Sequence, residues 1–324
     1  MRVVVTGAAG FIGSRFAEML LDEAPRLGYD DVVLLDALTY SGRLENLEGA
    51  LADPRARFVH GSILDPTTVE AALAGAHAVV HLAAESHVDR SIAGARPFYE
   101  TNVVGTHQLL ESARRSGVER VVHVSTDEVY GSIAVGAWRE DHLLEPNSPY
   151  SSSKAGSDLA ALAYHRTFGL SVMVTRCSNN YGPRQFPEKV IPLFVTRLLE
   201  GRTVPLYGDG RNVRDWLHVD DHCRGLLAVL ERGRPGEIYN IGGGTELTNL
   251  ELTRRILALM GADESAIEPV ADRLGHDRRY CVDWSKIRDE LGYAPSVDFD
   301  EGLAATVAWY RENAAWWRPL TASA

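Results

Sequence analysis

Residues 3–13 restrict the fold of this chain more than any other stretch of its sequence. They read Val-Val-Val-Thr-Gly-Ala-Ala-Gly-Phe-Ile-Gly, so a β-branched run leads into Gly7, Gly10 and Gly13 at the start of an amphipathic stretch. Glycine lets the backbone turn tightly and approach a pyrophosphate, whose charge then meets unpaired N–H groups at a helix N-terminus. The spacing is weak evidence by itself, and a glycine turn without a ligand is the alternative interpretation.

A second predicted strand strengthens the ligand-binding interpretation. Residues 32–35 are apolar and lead into Asp36, which follows Gly13 by 23 residues. A carboxylate at this point accepts both ribose hydroxyls of NAD and repels the 2′-phosphate of NADP. The sequence therefore favours NAD as the cofactor, while a loop or helix cap is the alternative role of Asp36.

Short β-branched runs alternate with amphipathic helical patterns, which is typical of βαβ units in a parallel sheet. Runs without polar alternation indicate strands that are covered on both faces. We predict an α/β fold in which residues 1–178 form a Rossmann-type, doubly wound parallel sheet, to which later segments return, and residues 179–324 form mainly a smaller, discontinuous substrate-binding lobe. The predicted strands are 2–6, 32–35, 57–60, 78–82, 120–125 and 171–175, and the predicted helices are 11–24, 67–74, 97–116 and 150–168.

Charge and cysteine content argue against several classes of function. The 33 Lys and Arg residues against 44 Asp and Glu give a net charge of −11, which is unfavourable for a polymeric nucleic-acid partner.

No stretch approaches the roughly 18 to 20 apolar residues of a membrane span, and no signal-peptide pattern is present, so we expect a cytoplasmic protein without a membrane partner. Three separated cysteines, Cys177, Cys223 and Cys281, predict buried thiols and no metal site.

Tyr150 and Lys154 form the first candidate catalytic group. They are four residues apart and therefore share one face of a predicted helix, and lysine is rare in this chain. A tyrosine with a pKa near 10 becomes a usable proton acceptor where an ammonium and an oxidised nicotinamide lower that pKa. The alternative is an exposed pair with no catalytic role.

Thr126, Asp127 and Glu128 form the second candidate group. They follow the fifth predicted strand, at the end of a parallel sheet where ligands bind. In a strict strand, Asp127 and Glu128 would point to opposite faces, so both reach one ligand only if the chain is leaving the sheet, as Gly131 permits. For an arbitrary Asp-Glu pair, simple capping or solvation of the loop is the alternative.

Several motifs together resemble those of one family. The glycine loop, Asp36, residues 82–86, the Tyr150 and Lys154 pair and residues 176–183 resemble the nucleotide-sugar branch of the extended short-chain dehydrogenase/reductase family. The Thr-Asp-Glu triplet is similar to that of the 4,6-dehydratases in this branch. The resemblance extends over nearly the whole chain and includes residues 186–189, 214–216 and 275–280.

The resemblance implies a hydro-lyase that acts on dTDP-glucose with NAD as a homodimer and yields dTDP-4-keto-6-deoxyglucose. Tyr150, supported by Lys154, would take the proton of the C4 hydroxyl while C4 is oxidised. Ionised Glu128 would then remove the C5 proton, and protonated Asp127 would donate to the departing C6 hydroxyl before hydride returns to C6. Thr126 would hydrogen-bond the sugar near C4.

The resemblance also implies two sets of binding residues by motif position. Two arginines in the substrate set would offset the charge of the diphosphate, and for any single member a surface salt bridge or loop hydrogen bond is the alternative. The cofactor set is Gly7, Gly10, Phe11, Ile12, Gly13, Asp36, Ala37, Leu38, Thr39, Ser62, Ile63, Leu82, Ala83, Ala84, Ser86, Thr101, Tyr150, Lys154 and Asn180. The substrate set is Ser86, Thr126, Asn179, Lys189, Val190, Leu193, Phe194, Pro205, Tyr207, Arg214, Asn249, Arg273 and His276.

Two positions depart from the family pattern. Ser62 stands in place of an Asp near the adenine, and Leu274 stands where proline is usual. Two alternative functions stay open: a nucleotide-sugar 4-epimerase or decarboxylase on the same scaffold, and a non-catalytic dinucleotide-sensing module. The first needs no acid for loss of the C6 hydroxyl, and the second needs none of the candidate catalytic residues.

Overall fold

The strands of the protein follow the β-branched runs of its sequence. The computed structural model describes residues 1–321, so the last three positions of the predicted lobe lie outside the described residues. The strands are β1 (Arg2–Thr6), β2 (Asp31–Asp36), β3 (Ala56–His60), β4 (Ala76–His81), β5 (Arg120–Thr126), β6 (Val172–Cys177), β7 (Asn179–Tyr181), β8 (Val204–Tyr207), β9 (Val213–His218), β10 (Ile238–Ile241), β11 (Thr245–Thr248) and β12 (Ile267–Val270).

The main sheet is parallel and doubly wound. Within residues 1–321 it contains seven strands in the order β10-β6-β5-β4-β1-β2-β3, and neighbouring strands pair in parallel. The predicted fold class is confirmed. The strand order reverses between β1 and β4, so a crevice opens over the carboxyl ends of these two strands, where such sheets bind ligands.

Helices cover the sheet on both sides. They are α1 (Phe11–Leu27), α2 (Glu48–Leu51), α3 (Pro66–Leu73), α4 (Val88–Ala93), α5 (Arg96–Tyr99), α6 (Thr106–Arg115), α7 (Pro149–Phe168), α8 (Val190–Leu199), α9 (Val219–Arg232), α10 (Asn249–Met260), α11 (Ser285–Leu291), α12 (Phe299–Glu312) and α13 (Ala314–Thr321). Short 3₁₀ turns occupy Leu44–Leu47, Asp127–Tyr130 and Glu264–Ala266. The helix predicted over 97–116 is interrupted, because a π-helical turn at Glu100–Gly105 separates α5 from α6.

Burial of β1 explains why its sequence shows no polar alternation. Val3 and Val5 pack in a core shared with α1, α9 and α11, whereas Val4 packs in a second core shared with α3, α6 and α7. All three valines are fully buried. Each such side chain contributes about 1.5 to 3 kcal/mol to the stability of the fold.

The C-terminal lobe has its own core and two small sheets. Within residues 1–321, β11, β9 and β7 form one sheet and β12 and β8 form the other. Aromatic side chains dominate the core, including Trp216, Phe299, Tyr310 and Trp317. β10 comes after the lobe strand β9 in sequence but belongs to the main sheet. The domain boundary at 178/179 stays a prediction.

The cysteines and helices provide two further observations. Cys177 and Cys223 are buried as predicted, but the expectation of a buried thiol is wrong for Cys281. Residues 280–282 alternate, so Tyr280 and Val282 point inward and Cys281 lies on the outer side. In the range 1–321, none of the helices is both long and apolar enough to cross a membrane.

Candidate active site

The glycine loop is packed too closely against backbone to admit a side chain at Gly7 or Gly13. A Cβ atom on Gly13 would lie 2.0 Å from the Gly7 carbonyl oxygen, and one on Gly7 would lie 2.6 Å from the Ala83 nitrogen. Gly7 has a φ of 68°, which favours glycine. Gly10 precedes α1, and no side chain of the described residues caps that helix end. The loop therefore fits a pyrophosphate at the helix N-terminus, as NAD requires.

Asp36 is held in place beside this loop. Its Oδ2 accepts a hydrogen bond from the Ala9 amide at 2.9 Å, and its Oδ1 accepts one from the Leu38 amide at 2.8 Å. Burial raises the pKa of Asp36, and the two amide donors oppose that rise. Each carboxylate oxygen has a further lone pair, so Asp36 retains the capacity to accept ribose hydroxyls.

The chain leaves the main sheet directly before the two candidate carboxylates. β5 ends at Thr126, and the next four residues form a 3₁₀ turn that the Thr126 side chain caps by accepting a hydrogen bond from the Glu128 amide at 3.3 Å. Gly131 then has a φ of 77°. Because of this turn, Asp127 and Glu128 both line the same cleft.

Asp127 is buried and Glu128 is partly buried, and their surroundings differ. Burial raises the pKa of Asp127 well above its usual value, and the charges of Glu128 and Asp215 raise it further. Burial also raises the pKa of Glu128, but Arg273, Arg214 and Lys189 oppose that rise. Asp127 therefore holds a proton more firmly than Glu128 does, which is the difference expected of an acid and a base at one site.

Tyr150 and Lys154 lie in the first turns of α7. Pro149 is the first helical residue, and Ser148 caps the helix by accepting a hydrogen bond from the Ser151 amide at 3.1 Å. The Lys154 ammonium is buried and donates to the Val124 carbonyl oxygen at 2.8 Å. The expected i, i+4 pair is therefore buried rather than exposed.

The pKa of Tyr150 differs from the sequence-based expectation. In the protein alone, burial and the charge of Glu128 raise this pKa well above 10, although a hydrogen bond with Thr126 opposes the rise. Burial lowers the pKa of Lys154, and the charge of Asp158 opposes that effect. Any lowering of the Tyr150 pKa must therefore come with the positive charge of a bound cofactor.

Beneath Lys154 lies a polar layer that the sequence analysis missed. Asp158 accepts a hydrogen bond from Arg176 Nε at 2.9 Å, and its other oxygen lies 3.3 Å from His123 Nε2. Asn102, in the π-helical turn, accepts from the Glu85 amide at 2.9 Å and donates to Ser153 Oγ at 2.8 Å. Neither feature forms a contiguous motif, because each joins residues from separate elements.

The cofactor loop and the acid–base groups line one cleft. This cleft is partly open to solvent, and its lining includes Gly7, Asp36, Glu128, Tyr150 and Lys189.

Comparison with known proteins assigns the family. A family model described as GDP-mannose 4,6 dehydratase matches residues 4–306. The chain is 60% identical over 319 residues to a dTDP-glucose 4,6-dehydratase of Actinoplanes sp., covering 98% of this chain and 100% of that protein. The chain belongs to this dehydratase family.

Solved structures of similar proteins place the dehydratase fold beside that of epimerases. A dTDP-glucose 4,6-dehydratase from Streptomyces venezuelae, solved with NAD bound, is 63% identical with a TM-score of 0.97, covering 99% of this chain and 100% of that one. A UDP-glucose 4-epimerase from Thermotoga maritima, solved with UDP-glucose, is 34% identical with a TM-score of 0.88, covering 97% and 100%.

Most of the cofactor residues predicted for this dehydratase line the cleft. The exception in that set is Leu38, whose amide binds Asp36 and which has a φ of 49°. Additional lining residues that the sequence analysis did not assign include Ser41, Gly42, Gly61, Gln185, Phe186 and Glu188. Gln185, Phe186 and Glu188 follow the Asn-Asn-Tyr-Gly-Pro motif. Their position after this motif was the sequence signal that could have assigned them to the cleft.

The predicted substrate residues divide into two groups. Ser86, Thr126, Asn179 and Lys189 line the cleft. The others lie in the lobe: Val190, Leu193 and Phe194 on α8, Pro205 and Tyr207 on β8, Arg214 on β9, Asn249 at the start of α10, and Arg273 and His276 in the segment between β12 and α11. Phe194 is buried in the lobe core. Their roles toward a substrate stay predictions.

Proposed function

We propose that this protein removes water from dTDP-glucose and yields dTDP-4-keto-6-deoxyglucose, with NAD as a cofactor that is regenerated in each turnover. The observation that carries this proposal is the pair Asp127 and Glu128, which share one turn and one cleft but differ in their surroundings. Elimination across C5 and C6 needs an acid and a base in addition to the group that handles the C4 hydroxyl proton, whereas epimerisation at C4 needs only that group.

The glycine loop and Asp36 would hold NAD. Gly7, Gly10 and Gly13 would accommodate its pyrophosphate at the start of α1, and Asp36 would accept hydrogen bonds from a ribose. When bound, the cofactor supplies reversible oxidation of a sugar carbon.

Tyr150 and Lys154 would handle the proton of the C4 hydroxyl. Tyr150 lies in the cleft beside Thr126, so both hydroxyls have access to the same sugar atoms. Lys154 is fixed by the Val124 carbonyl oxygen. The positive charge of an oxidised nicotinamide would favour the Tyr150 phenolate, which is the form that accepts a proton.

Glu128 and Asp127 would carry out the elimination. Three cations, Arg273, Arg214 and Lys189, favour the ionised form of Glu128, which would remove the C5 proton. Asp127 Oδ2 has no hydrogen-bond partner among residues 1–321, so a proton held there is available to the departing C6 hydroxyl. The same water-excluding burial raises the pKa of both groups and keeps their proton transfers local.

Arg214 and Arg273 would neutralise the diphosphate. Arg214 is buried, stacks on the Tyr280 ring with its guanidinium carbon 4.3 Å from the centroid, and donates to the Asp277 carbonyl oxygen at 3.0 Å. Arg273 Nε is buried with no partner in the described part of the chain. An anionic ligand would complete the hydrogen bonding of this guanidinium.

A single incubation tests the proposed reaction. Purified protein with NAD should convert dTDP-glucose to a product lighter by one water, detected by mass spectrometry. The matched control is the E128Q variant, which should give no such product. A sugar nucleotide of unchanged mass in the wild-type reaction would refute the proposal, and unchanged mass with inversion at C4 would instead establish an epimerase.

We also propose that the protein acts as a homodimer in the cytoplasm. Large apolar side chains are exposed on the adjacent helical stretch 96–115 and α7: Tyr99, Val104, Leu159 and Phe168. Large apolar side chains exposed on neighbouring helices are typical of protein interfaces. Sedimentation equilibrium should give twice the 35.5 kDa chain mass, and a monomer at micromolar concentration would contradict the dimer.

A further inference from the structure

Residues 184–189, which we call the strap, form one wall of the cleft. Gln185, Phe186, Glu188 and Lys189 of the strap line it, and so do residues 39, 41 and 42 after β2. The strap follows β7, so it belongs to the lobe, whereas the loop after β2 belongs to the cofactor side. A contact between these two segments therefore joins the two walls.

Glu188 makes this contact. Tyr40, between two cleft-lining residues, donates its hydroxyl proton to Glu188 Oε1 at 2.8 Å. Arg90 of α4 donates to Glu188 Oε2 at 2.9 Å. The Glu188 side chain is only 15% exposed, whereas that of Arg90 is 51% exposed. The Tyr40 bond is thus the better shielded of the two, and exposed ion pairs contribute little.

Ring packing adds to this junction. The Arg90 guanidinium carbon lies 3.9 Å from the centroid of the Tyr40 ring, and the Phe186 ring meets the Tyr40 ring edge-on at 5.4 Å. Burial raises the pKa of Tyr40, and the charge of Glu188 raises it further. The phenol therefore stays protonated and remains a donor to Glu188 across the physiological pH range.

Both ends of the strap are anchored independently of this junction. Lys189 Nζ donates to the Ser86 carbonyl oxygen at 2.8 Å. Arg184 Nη1 donates to the Asn46 carbonyl oxygen at 3.1 Å and pairs with Glu18 at 2.7 Å. These contacts leave the middle of the strap dependent on Tyr40, Arg90 and Glu188 for closure against the cofactor side.

We propose that Tyr40, Arg90 and Glu188 form a clasp that holds the strap across the dinucleotide cleft and slows release of NAD. This inference rests on the proposed function, in which the cofactor ends each turnover in its starting state and has no need to leave. A substrate must exchange in every turnover. A contact that closes the cleft at the segment after β2 would therefore slow release of the cofactor and leave exchange of the substrate free. The three residues are positioning residues and take no part in proton transfer.

The exchange rate of the cofactor tests the clasp. Holoenzyme loaded with isotopically labelled NAD is mixed with excess unlabelled NAD, and release of label is followed by rapid filtration. Y40F removes one hydroxyl and keeps the ring, so release should accelerate roughly tenfold, as expected for loss of a hydrogen bond to a charged acceptor. R90A should accelerate release by about twofold, because this pair is half exposed.

The chain offers a matched control. The Tyr239 hydroxyl donates to Glu290 Oε2 at 3.1 Å, and Arg234 pairs with the same carboxylate at 2.7 Å, between β10 and α11. Y239F removes the same kind of hydroxyl outside the cleft and should leave release unchanged. Equal release rates for wild type, Y40F and Y239F would overturn the clasp.

Failure of the clasp and failure of the proposed function give different results. Label release is measured without substrate, so it reports on the clasp even if dTDP-glucose is not dehydrated. Normal water loss with unchanged release in Y40F would refute the clasp alone. Accelerated release in Y40F together with no water loss in the wild type would refute the proposed reaction and retain the clasp.

Discussion

The two sides of the cleft are constructed differently. On the cofactor side, Gly7 follows β1, Asp36 ends β2 and Thr126 ends β5, so strands of one parallel sheet deliver these residues to the same edge of the main sheet. On the sugar-nucleotide side, Arg214 lies on β9 and Arg273 lies in the loop region after β12, and both depend on packing of the lobe. A parallel sheet gathers strand ends by its own geometry, whereas the lobe gathers cations only through long-range contacts.

The largest expected effect on activity is at Glu128, which follows a strand of the main sheet and is influenced by the cations of the lobe. E128Q should lower the rate of water loss by about 10³-fold, because general-base catalysis contributes roughly 10²- to 10⁴-fold. Substrate-dependent reduction of the bound cofactor, followed by absorbance, should persist because Tyr150 and Lys154 are intact.

The control for this variant is E140Q, which alters a partly buried glutamate that accepts a hydrogen bond from the Asn240 amide at 3.0 Å outside the cleft. Normal water loss by E128Q would show that Glu128 is not the base. The lobe would then not contribute to catalysis by keeping Glu128 ionised.

Next in size is the buried ion pair beneath Lys154. D158N should lower the free energy of unfolding by about 3 kcal/mol at pH 7, since it leaves Arg176 buried without its partner. Burial alone would raise the pKa of Asp158, but Arg176, His123 and Lys154 together lower it. The ionised carboxylate thus stabilises the fold above its unfolded-state pKa, and this stability is lost as pH falls through the folded-state pKa.

Denaturant unfolding from pH 7 down to about pH 2 checks both the size and the sign of this effect, because the folded-state pKa of Asp158 lies below its usual value. The wild type should keep its advantage over D158N down to the usual aspartate pKa of about 3.9 and lose it below that pH. D209N removes the exposed lobe pair with Arg278 and should leave stability almost unchanged. If D158N and D209N lowered the free energy of unfolding equally, the buried ion pair would contribute no more to stability than the exposed pair of the lobe.

Gly13 tests the cofactor side separately. G13A should weaken NAD binding at least tenfold, because its Cβ would lie 2.0 Å from the Gly7 carbonyl oxygen and displace the loop, a distortion that costs about 1 to 3 kcal/mol. Titration calorimetry with NAD and with dTDP should show loss of the first affinity and retention of the second. G94A, where a Cβ has no atom within 4 Å, is the matched control.

The smallest of these effects tests the lobe. R273A should weaken dTDP binding by roughly tenfold and leave NAD binding unchanged, because the guanidinium would lose charge-assisted hydrogen bonds to phosphate. R278A alters an exposed arginine of the same loop and should affect neither affinity. If R273A weakened NAD binding instead, the cations of the lobe would have to be assigned to the cofactor side.

Prediction from sequence succeeded for the features that short-range patterns control. The strand and glycine pattern predicted the sheet and the family, both confirmed. Tyr150 and Lys154 lie on one helix, as their spacing predicted, and their catalytic roles stay predictions. The partnership of Tyr40 with Glu188 had no such signal, because 148 positions separate the two residues. The π-helical turn within the helix predicted over 97–116 also had none, and its Asn102 bonds Glu85 and Ser153 of other segments.

The sequence by itself determined the parallel sheet, the cofactor loop and the chemical types of the catalytic side chains, because short-range periodicity and steric limits on glycine act within a few residues. Only the tertiary structure decided that Asp127 and Glu128 have unequal surroundings. Asp215 acts on the first, Arg273 and Lys189 act on the second, and Arg214 acts on both. Electrostatic energies depend on distance in space and on burial, and neither quantity is encoded in the spacing of residues along a chain.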